Sequence, residues 1–216
     1  MIKYFRSPDY NFDFNTQTGF FARWGTTYKE DPDFSQFGPE ILDCEISTIC
    51  SQGCSWCYKS NSPKGKNMSF ETFRTILDKM PKTLTQCAFG IGDIDSNPDL
   101  WEMMEYCREN DVIPNITING NRMTSILYDK LVSLCGAVAT SLYDKDACYD
   151  SIEQLSIRGM KQCNIHVLLS HQTYQTCIDV INESKTDSRL KNLNAIVFLW
   201  LKPKGNRNFF VQASKE

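Results

Sequence analysis

Apolar and polar residues follow two alternating patterns between residues 41 and 201. Stretches rich in apolar residues predict six β-strands, at 41–48, 85–91, 112–118, 137–142, 161–170 and 193–201. Between these stretches, apolar residues recur three or four positions apart, which is typical of amphipathic helices. Because strands that alternate with helices form parallel βα units, the pattern predicts an α/β fold with a parallel sheet.

Residues that commonly begin or interrupt regular structure refine these boundaries. Ser69 and Thr124 are typical N-caps for the first and third helices. Asn97 is expected to cap the second helix, with Pro98 at its first position. Pro114 has no N–H to donate, so ordered pairing of the third strand is expected only after it.

The first 40 residues are rich in aromatic side chains. Residues 11–14 alternate in polarity, as does the segment after the turn-like residues 15–19, and this pattern predicts a β-hairpin. Such an extension could serve as a lid or a substrate platform. Packing of its aromatics against the α/β core is the favoured interpretation, because aromatic side chains mostly serve burial. We therefore divide the chain into an extension at 1–40, a core at 41–204 and a tail at 205–216.

Composition limits the possible partners. The 216 residues are 41% hydrophobic and 23% charged, which is ordinary for one soluble globular domain. A net charge of −3 supplies no attraction to nucleic acid or to an anionic membrane. The N-terminus lacks the apolar core of a signal peptide, and the longest apolar run, 195–201, is too short to cross a bilayer. We expect a cytoplasmic protein whose ten cysteines are reduced.

Three of these cysteines, Cys50, Cys54 and Cys57, follow the first core strand with C-x3-C-x2-C spacing. Soft thiolates select iron–sulfur clusters, zinc or copper(I). Structural zinc usually takes two separated cysteine pairs, and no second pair follows this one. The remaining cysteines are scattered singly and are expected to be small buried hydrophobes: Cys44, Cys87, Cys107, Cys135, Cys148, Cys163 and Cys177.

The cysteine loop resembles the cluster-binding loop of the radical S-adenosylmethionine (radical SAM) superfamily. Trp56 fills the aromatic position before the last cysteine, where we expect it beside the cofactor, and Gly53 stands where the loop turns tightly. The resemblance implies that Cys50, Cys54 and Cys57 ligate a [4Fe-4S] cluster whose open iron binds S-adenosylmethionine (SAM). It further implies that the reduced cluster cleaves SAM to methionine and a 5′-deoxyadenosyl radical, which abstracts hydrogen from a substrate.

The resemblance also implies a fold and partners. The α/β core would be a (β/α)6 partial TIM barrel with the aromatic-rich β-hairpin as an N-terminal extension, although a doubly wound, flavodoxin-like sheet would give a similar alternation. The substrate would be a peptide or a small molecule, and the electron donor an external flavodoxin- or ferredoxin-like protein. Since the chain ends soon after the sixth strand, we expect either a minimal enzyme or one truncated before an auxiliary C-terminal region.

Chemistry in parallel α/β folds lies at the carboxyl ends of the strands. After the second strand, Gly90, Gly92 and Asp93 resemble the family's Gly-Gly-Glu motif, which holds the methionine amino group. Ile91 separates the two glycines here, and the acid is one methylene shorter. Asn119, in a Thr-Asn-Gly-like ending of the third strand, is expected to face the same pocket. An ordinary turn is the alternative at both places.

The later strands add weaker candidates. Ser141, after the fourth strand, resembles a family serine near the cofactor's ribose or carboxylate. His166 on the fifth strand could point into the barrel, and Leu199 on the sixth could pack near the adenine; core packing is the alternative for both. The basic run 202–207 could hold an anionic group, but we expect it to be solvated.

A rival function uses the same cysteines without catalysis. In one version, Cys54 and Cys57 form a redox-active thiol pair, or Cys44 joins the three loop cysteines around zinc. In another, a cluster-bearing protein has lost its SAM chemistry, an alternative that the altered motif at Asp93 permits. The thiol-pair version predicts that function survives removal of Cys50, whereas the cluster version predicts loss with any of the three.

Overall fold

The computed structural model describes residues 1–214 and begins with a small antiparallel sheet. Its strands are β1 (Ile2–Phe5), β2 (Asn11–Asn15) and β3 (Phe21–Trp24), in the order β1-β2-β3. Strands β2 and β3 form the predicted hairpin, with Asn11 opposite Trp24 and Phe14 opposite Phe21. Strand β1, absent from the sequence prediction, pairs along the other edge of β2.

Six parallel strands form the second sheet, in chain order from one edge to the other. They are β4 (Ile41–Glu45), β5 (Gln86–Gly90), β6 (Ile113–Ile118), β7 (Ala137–Ser141), β8 (Cys163–Leu169) and β9 (Ala195–Trp200). A doubly wound sheet reverses its strand order at a switch point, and this sheet does not. The predicted (β/α)6 partial barrel is therefore confirmed.

A helix connects each pair of neighbouring barrel strands. The helices are α1 (Phe70–Asp78), α2 (Leu100–Glu109), α3 (Ser125–Leu134), α4 (Lys145–Ile157) and α5 (Tyr174–Glu183), and a 3₁₀ turn at Ser188–Leu190 precedes β9. Within residues 1–214, none of them combines the length and apolar character that crossing a membrane requires.

The predicted N-caps are confirmed for two helices and wrong for the third. The hydroxyl of Ser69 accepts a hydrogen bond from the Thr72 amide at 3.3 Å, and Thr124 caps α3 in the same way. Helix α2, however, begins at Leu100 with Asp99 at the N-cap position. The Oδ1 atom of Asn97 accepts from the Asp99 amide at 2.9 Å, before the helix starts, and its N–H₂ group donates to the Ile46 carbonyl at 2.8 Å. Asn97 thus fixes the start of α2 to the chain leaving β4.

Strand β6 begins one residue before Pro114, contrary to prediction. Ile113 donates its amide to the Thr85 carbonyl at 2.9 Å, and Pro114 lies opposite Cys87 of β5. On the other side, β7 begins only at Ala137, which is opposite the residue after Pro114. On the β7 side, therefore, no strand residue stands opposite Pro114. The missing N–H costs no ladder hydrogen bond on that side.

The main core lies between the barrel sheet and its helices. Alternate strand residues face the helices and are buried, among them Cys87, Phe89, Ile116, Val138 and Ile165, and they meet apolar residues of α1 to α4 such as Phe73, Met103, Leu131 and Ile152. All seven scattered cysteines are buried, as predicted: Cys44, Cys87, Cys107, Cys135, Cys148, Cys163 and Cys177. They serve as small core residues.

The N-terminal sheet closes the amino-terminal end of the barrel. It buries Tyr10, Phe12 and Phe14 in a cluster that includes Ile113. Lys3 donates to the carbonyl of Leu84 at 2.5 Å, and Gln162 donates to the carbonyl of Thr18 at 2.9 Å. Leu84, Ile113 and Gln162 all stand where strands begin, so the sheet lies at the end opposite to the cysteine loop. The extension therefore packs on the end of the barrel that lies away from the cysteine loop.

Candidate functional site

The three spaced cysteines lie on the long loop between β4 and α1, at the carboxyl end of the barrel. Two backbone hydrogen bonds shape the loop: Cys50 donates to the Ser62 carbonyl at 3.1 Å, and Cys57 donates to the Cys54 carbonyl at 3.2 Å. Gly53 adopts φ +61°, a conformation that residues with a Cβ seldom take. The three thiols are half-buried, whereas Cys44 is buried in the core.

The thiols are close enough to influence one another electrostatically. Burial and the neighbouring thiols Cys50 and Cys57 raise the pKa of Cys54 to about 11, while Arg207 opposes that shift. Burial is also the main cause that raises the pKa of Cys50. Metal binding must therefore displace protons from these thiols.

Three neighbouring soft thiolates are a donor set that suits an iron–sulfur cluster, zinc or copper(I). Across residues 1–214, no three His, Cys, Asp or Glu side chains converge on a position that a single metal ion could occupy. A zinc ion with Zn–S distances of about 2.3 Å would hold its sulfurs within roughly 4 Å of one another. Thiolates that bind separate irons of one cluster stand further apart, so three neighbouring thiols without a single-ion geometry are compatible with a cluster.

A buried carboxylate ties the cysteine loop to the end of β5. Asp93 is 5% exposed, and its oxygens accept from the Ser51 amide at 2.8 Å and the Ser51 hydroxyl at 3.1 Å. Asn119, after β6, donates to the same carboxylate at 3.1 Å. Arg122, which the sequence analysis missed, lies 3.9 Å from it. The structure thus brings Asp93 and Asn119 together and places both beside Cys50.

Gly90, the last residue of β5, and Gly92 allow close contact with this loop. A Cβ on Gly92 would lie 2.0 Å from the Ile49 carbonyl oxygen and 2.6 Å from the Cys50 Cβ. A Cβ on Gly90 would lie 2.8 Å from the Lys59 ammonium, which is paired with Glu45. Neither position tolerates a side chain without movement of its neighbours, and at Gly92 the nearest neighbour is backbone.

The remaining predicted residues share one face of the sheet. Ser141 stands opposite His166, and Leu199 stands opposite Leu168, two residues beyond His166. The Nδ1 atom of His166 lies 3.4 Å from the Thr117 hydroxyl, and burial lowers the pKa of this histidine. Because alternate residues of a strand share a face, Ser141, His166 and Leu199 all face the barrel interior. Leu199 differs from the other two residues because it lies on an edge strand and is 44% exposed.

The segment after β9, residues 202–212 and here called the return segment, crosses back to the cysteine loop. The Asn206 amide donates to the Ser60 hydroxyl at 2.8 Å, and Arg207 donates to the Asn61 carbonyl at 2.7 Å. A Cβ on Gly205 would lie 2.1 Å from the Cys57 carbonyl oxygen. The basic side chains of the run, Lys202, Lys204 and Arg207, are exposed as predicted, although its backbone is anchored to the loop. The chain leaves β9 at the end of the barrel that carries the loop.

An aromatic contact completes this arrangement. The Trp56 ring centroid lies 5.0 Å from that of Phe210 in the return segment and 5.9 Å from that of Tyr143, which follows β7. The sequence singled out Trp56 but not its two partners. Tyr143 could have been found from its place directly after a strand end, whereas Phe210 carries no local signal. Residues 215 and 216 of the predicted tail lie outside the described residues.

No protein-family model matches the sequence, and no curated protein matches it. Solved structures, in contrast, are similar to it. SuiB of Streptococcus suis has a TM-score of 0.69 at 11% identity, with 99% of this chain and 64% of that chain covered. The structure of anSMEcpe with bound AdoMet and the Cp18Cys peptide has a TM-score of 0.56 at 16% identity, with 76% of this chain and 52% of that chain covered.

The hydrogenase maturase HydG of Carboxydothermus hydrogenoformans is also similar, with a TM-score of 0.55 at 15% identity and coverages of 82% and 48%. The chain thus spans less than two thirds of the length of each of these proteins. At sequence identities this low, the similarity shows a shared architecture and not a shared activity. The chain has the partial-barrel fold of the radical SAM enzymes.

Proposed function

We propose that this chain is the catalytic core of a radical SAM enzyme, in which Cys50, Cys54 and Cys57 hold a [4Fe-4S] cluster. When bound and reduced, the cluster supplies the electron that cleaves SAM into methionine and a 5′-deoxyadenosyl radical, which takes hydrogen from the substrate. The observation that carries the proposal is the placement of three half-buried thiols on one loop at the carboxyl end of this barrel. SuiB and anSMEcpe, which are similar in fold, have been crystallised with SAM.

Asp93 has two compatible roles. Three hydrogen bonds from Ser51 and Asn119 already reach its carboxylate, so it holds the loop in place. A carboxylate has about four acceptor positions, and the remaining one, which the Arg122 guanidinium approaches to 3.9 Å, suits an ammonium donor such as the methionine amino group. The close approach at Gly92 leaves backbone rather than side chain next to Cys50, so the loop and the end of β5 form one rigid unit.

The barrel interior supplies polar groups for SAM and substrate. Ser141, Thr117 and His166 face it from three neighbouring strands. Because burial lowers the pKa of His166, the imidazole is neutral at pH 7 and can either donate or accept a hydrogen bond. Leu199 and Trp56 offer apolar surface for the adenine.

We further propose a peptide substrate, with a small molecule as the second candidate. The support is that SuiB and anSMEcpe were both crystallised with peptides. The opening at the carboxyl end is bordered by exposed rings, Tyr58, Tyr143 and Phe209 among them, that an extended chain can contact. The electron would come from an external flavodoxin- or ferredoxin-like protein.

The decisive experiment measures iron, sulfide and SAM cleavage after anaerobic reconstitution. We expect about four irons per chain, as one cubane requires, and release of 5′-deoxyadenosine under a strong reductant. Replacing any loop cysteine, for example Cys50→Ser, should abolish both. Cys44→Ser is the matched control, because Cys44 lies in the core and should leave iron binding intact. One zinc per chain, or cleavage that survives Cys50→Ser, would overturn the proposal; iron without cleavage would favour the degenerate homologue.

The two roles of Asp93 can be separated. Asp93→Asn keeps one oxygen, which can still accept from the Ser51 amide, but removes the charge that an ammonium needs. If Asp93 holds both the loop and SAM, this variant should retain iron and lose about tenfold or more in SAM affinity, while Asp93→Ala should lose iron as well. Asp95→Asn, whose carboxylate is exposed beside Arg122, is the control and should change neither.

A further inference from the structure

A cavity of about 520 Å³ lies at the amino-terminal end of the barrel, away from the cysteines. The turn between β2 and β3, residues 16–19, forms one wall. The opposite wall comes from the starts of barrel strands and the ends of the helices before them, with Gln86, Asn115 and Gln162 among the lining residues. Its volume lies in the range of about 300–1,000 Å³ that small-molecule sites occupy.

The lining of the cavity carries positive charge and no acid. Arg108 and Lys161 are its two cations, and no Asp or Glu is among the lining residues. This is unusual for the chain: six of its eight arginines pair with a carboxylate inside residues 1–214, and the exceptions are Arg108 and Arg207. Arg207 belongs to the return segment and contacts the cysteine loop at the other end of the barrel. Among the residues that the structure describes, Arg108 is therefore the only arginine that lines this cavity, and it has no carboxylate partner.

Arg108 is held in place while most of its donors stay free. Its Nε donates to the Leu134 carbonyl at the end of α3, at 2.5 Å. Its two terminal nitrogens have no hydrogen-bond or carboxylate partner among residues 1–214. The side chain is half-buried, and burial lowers the pKa of its guanidinium, a sign that the charge has lost water without gaining an anion. A guanidinium fixed through Nε presents its remaining N–H groups as a fork.

Neighbouring groups add further donors. Gln86 accepts a hydrogen bond at its Oε1 from Asn115 at 2.8 Å, which fixes the amide orientation and leaves its Nε2 without a partner in residues 1–214. Lys161 is exposed and, in the same part of the chain, forms no ion pair. The cavity thus combines a guanidinium fork, an ammonium and an amide N–H₂, all of which donate.

We propose that this cavity binds a small organic anion through a carboxylate or phosphate group, with Arg108 as its bidentate partner and Lys161 as a second charge. Carboxylate and phosphate oxygens match the planar fork of arginine, and an anion would restore the electrostatic partner that the half-buried guanidinium lacks. The bound anion would bridge the N-terminal sheet and the barrel. The site is independent of the cysteine loop and of any bound cluster.

The test is isothermal titration of the purified full chain with inorganic phosphate and, separately, with succinate, at constant ionic strength with chloride as the blank. We expect one of the two probes to bind with a dissociation constant in the millimolar range or tighter, and the stronger probe identifies the head group. Arg108→Gln should weaken that binding about 10- to 100-fold, as expected for loss of charge-assisted hydrogen bonds.

Because Arg108 also contacts Leu134, its replacement could lower stability. Lys161→Gln removes a charge without disturbing any hydrogen bond in residues 1–214, and should weaken binding severalfold in a fully folded protein. Arg74→Gln, on the exposed face of α1, is the control and should leave affinity unchanged. Absence of binding by both probes, or equal affinity in the wild type and in both cavity variants, would overturn the proposal.

Discussion

The two ends of the barrel are closed by different physical means. At the amino-terminal end, Phe12 and Phe14 are fully buried, and the N-terminal sheet packs rings against the strand starts. At the carboxyl end, the cysteine loop is held by single hydrogen bonds, by backbone contact at Gly92 and by the return segment, while its thiols stay half-buried. The stability gained from apolar burial depends little on the exact positions of the buried rings, whereas a cofactor site requires exact positions of its ligands.

This difference separates stability from function along the barrel axis. Substitutions at the amino-terminal end should reduce the free energy of unfolding and leave the chemistry of the folded fraction unchanged. Substitutions at the carboxyl end should mainly impair cofactor binding and lower stability less, since local opening there exposes little apolar surface. The predictions below test that separation, in order of decreasing effect.

The largest effect is expected for Phe12→Ala. The ring is fully buried, so its removal leaves a cavity and should lower the free energy of unfolding by about 3–5 kcal/mol. Urea denaturation measures this change. Phe34→Ala removes a ring that is 72% exposed and should stay within about 0.5 kcal/mol of the wild type. An equal loss in both variants would show that the extension does not stabilise the barrel through this cluster.

Gly92→Ala should act at the other end. The added Cβ collides with the Ile49 carbonyl and the Cys50 Cβ, so we expect a loss of about 1–3 kcal/mol in stability and most of the reconstituted iron. Iron content per folded chain is the measurement. Gly25→Ala, whose Cβ would lie 3.3 Å from the flexible Glu30 side chain, should keep its iron. Full iron in Gly92→Ala would mean that the loop is not fixed by this contact.

A smaller effect is expected for Phe210→Ala. Its ring covers Trp56 next to the cysteine loop, so removal should cost about 1 kcal/mol or less, the scale of one aromatic pair. Loss of the cluster's absorption in air should nevertheless become severalfold faster. Phe209→Ala is the matched control, because that ring is 70% exposed. Equal decay rates in the two variants would contradict a shielding role for the return segment.

The smallest effect concerns pH. Burial lowers the pKa of His166 in the folded protein, so below about pH 6.5 the unfolded state binds the extra proton and the folded state resists it. Stability should therefore fall as the pH drops from 7.5 to 5, and less steeply in His166→Asn. Urea midpoints at the two pH values test this. His171→Asn, the chain's other and exposed histidine, should retain the wild-type slope.

Local signals in the sequence were sufficient for most of the fold. The strands, the caps at Ser69 and Thr124 and the buried cysteines each depend on residues a few positions apart, and such patterns are readable without a structure. Asn97 shows the limit of this approach. Its sequence context is that of a cap, yet its amide is used by the Ile46 carbonyl, 51 residues away. Strand β1 was missed because its four residues are too short for a clear alternation.

The candidate site likewise combines local features, which the sequence predicts, with long-range contacts, which only the fold creates. The cysteine spacing and the Gly-Ile-Gly-Asp sequence are local, and the sequence alone identified them. The hydrogen bonds from Ser51 to Asp93 span 42 residues, and the contact of Arg207 with Asn61 spans 146. Neither pairing leaves a local trace, because each depends on which strand ends the fold brings to one edge. For the same reason the sequence does not reveal that Arg108 lacks a carboxylate partner within residues 1–214.

The return segment also sets an order of assembly. Residues 205–207 can meet the cysteine loop only after β9 has joined the sheet, and a contact across 146 residues forms late because of its loop-closure entropy. The loop is translated early but receives its last contacts from nearly the final residues of this sequence. If the loop binds the proposed cluster, completion of that site is coupled to the folding of the whole barrel, and a partly made chain would present its thiols without that support.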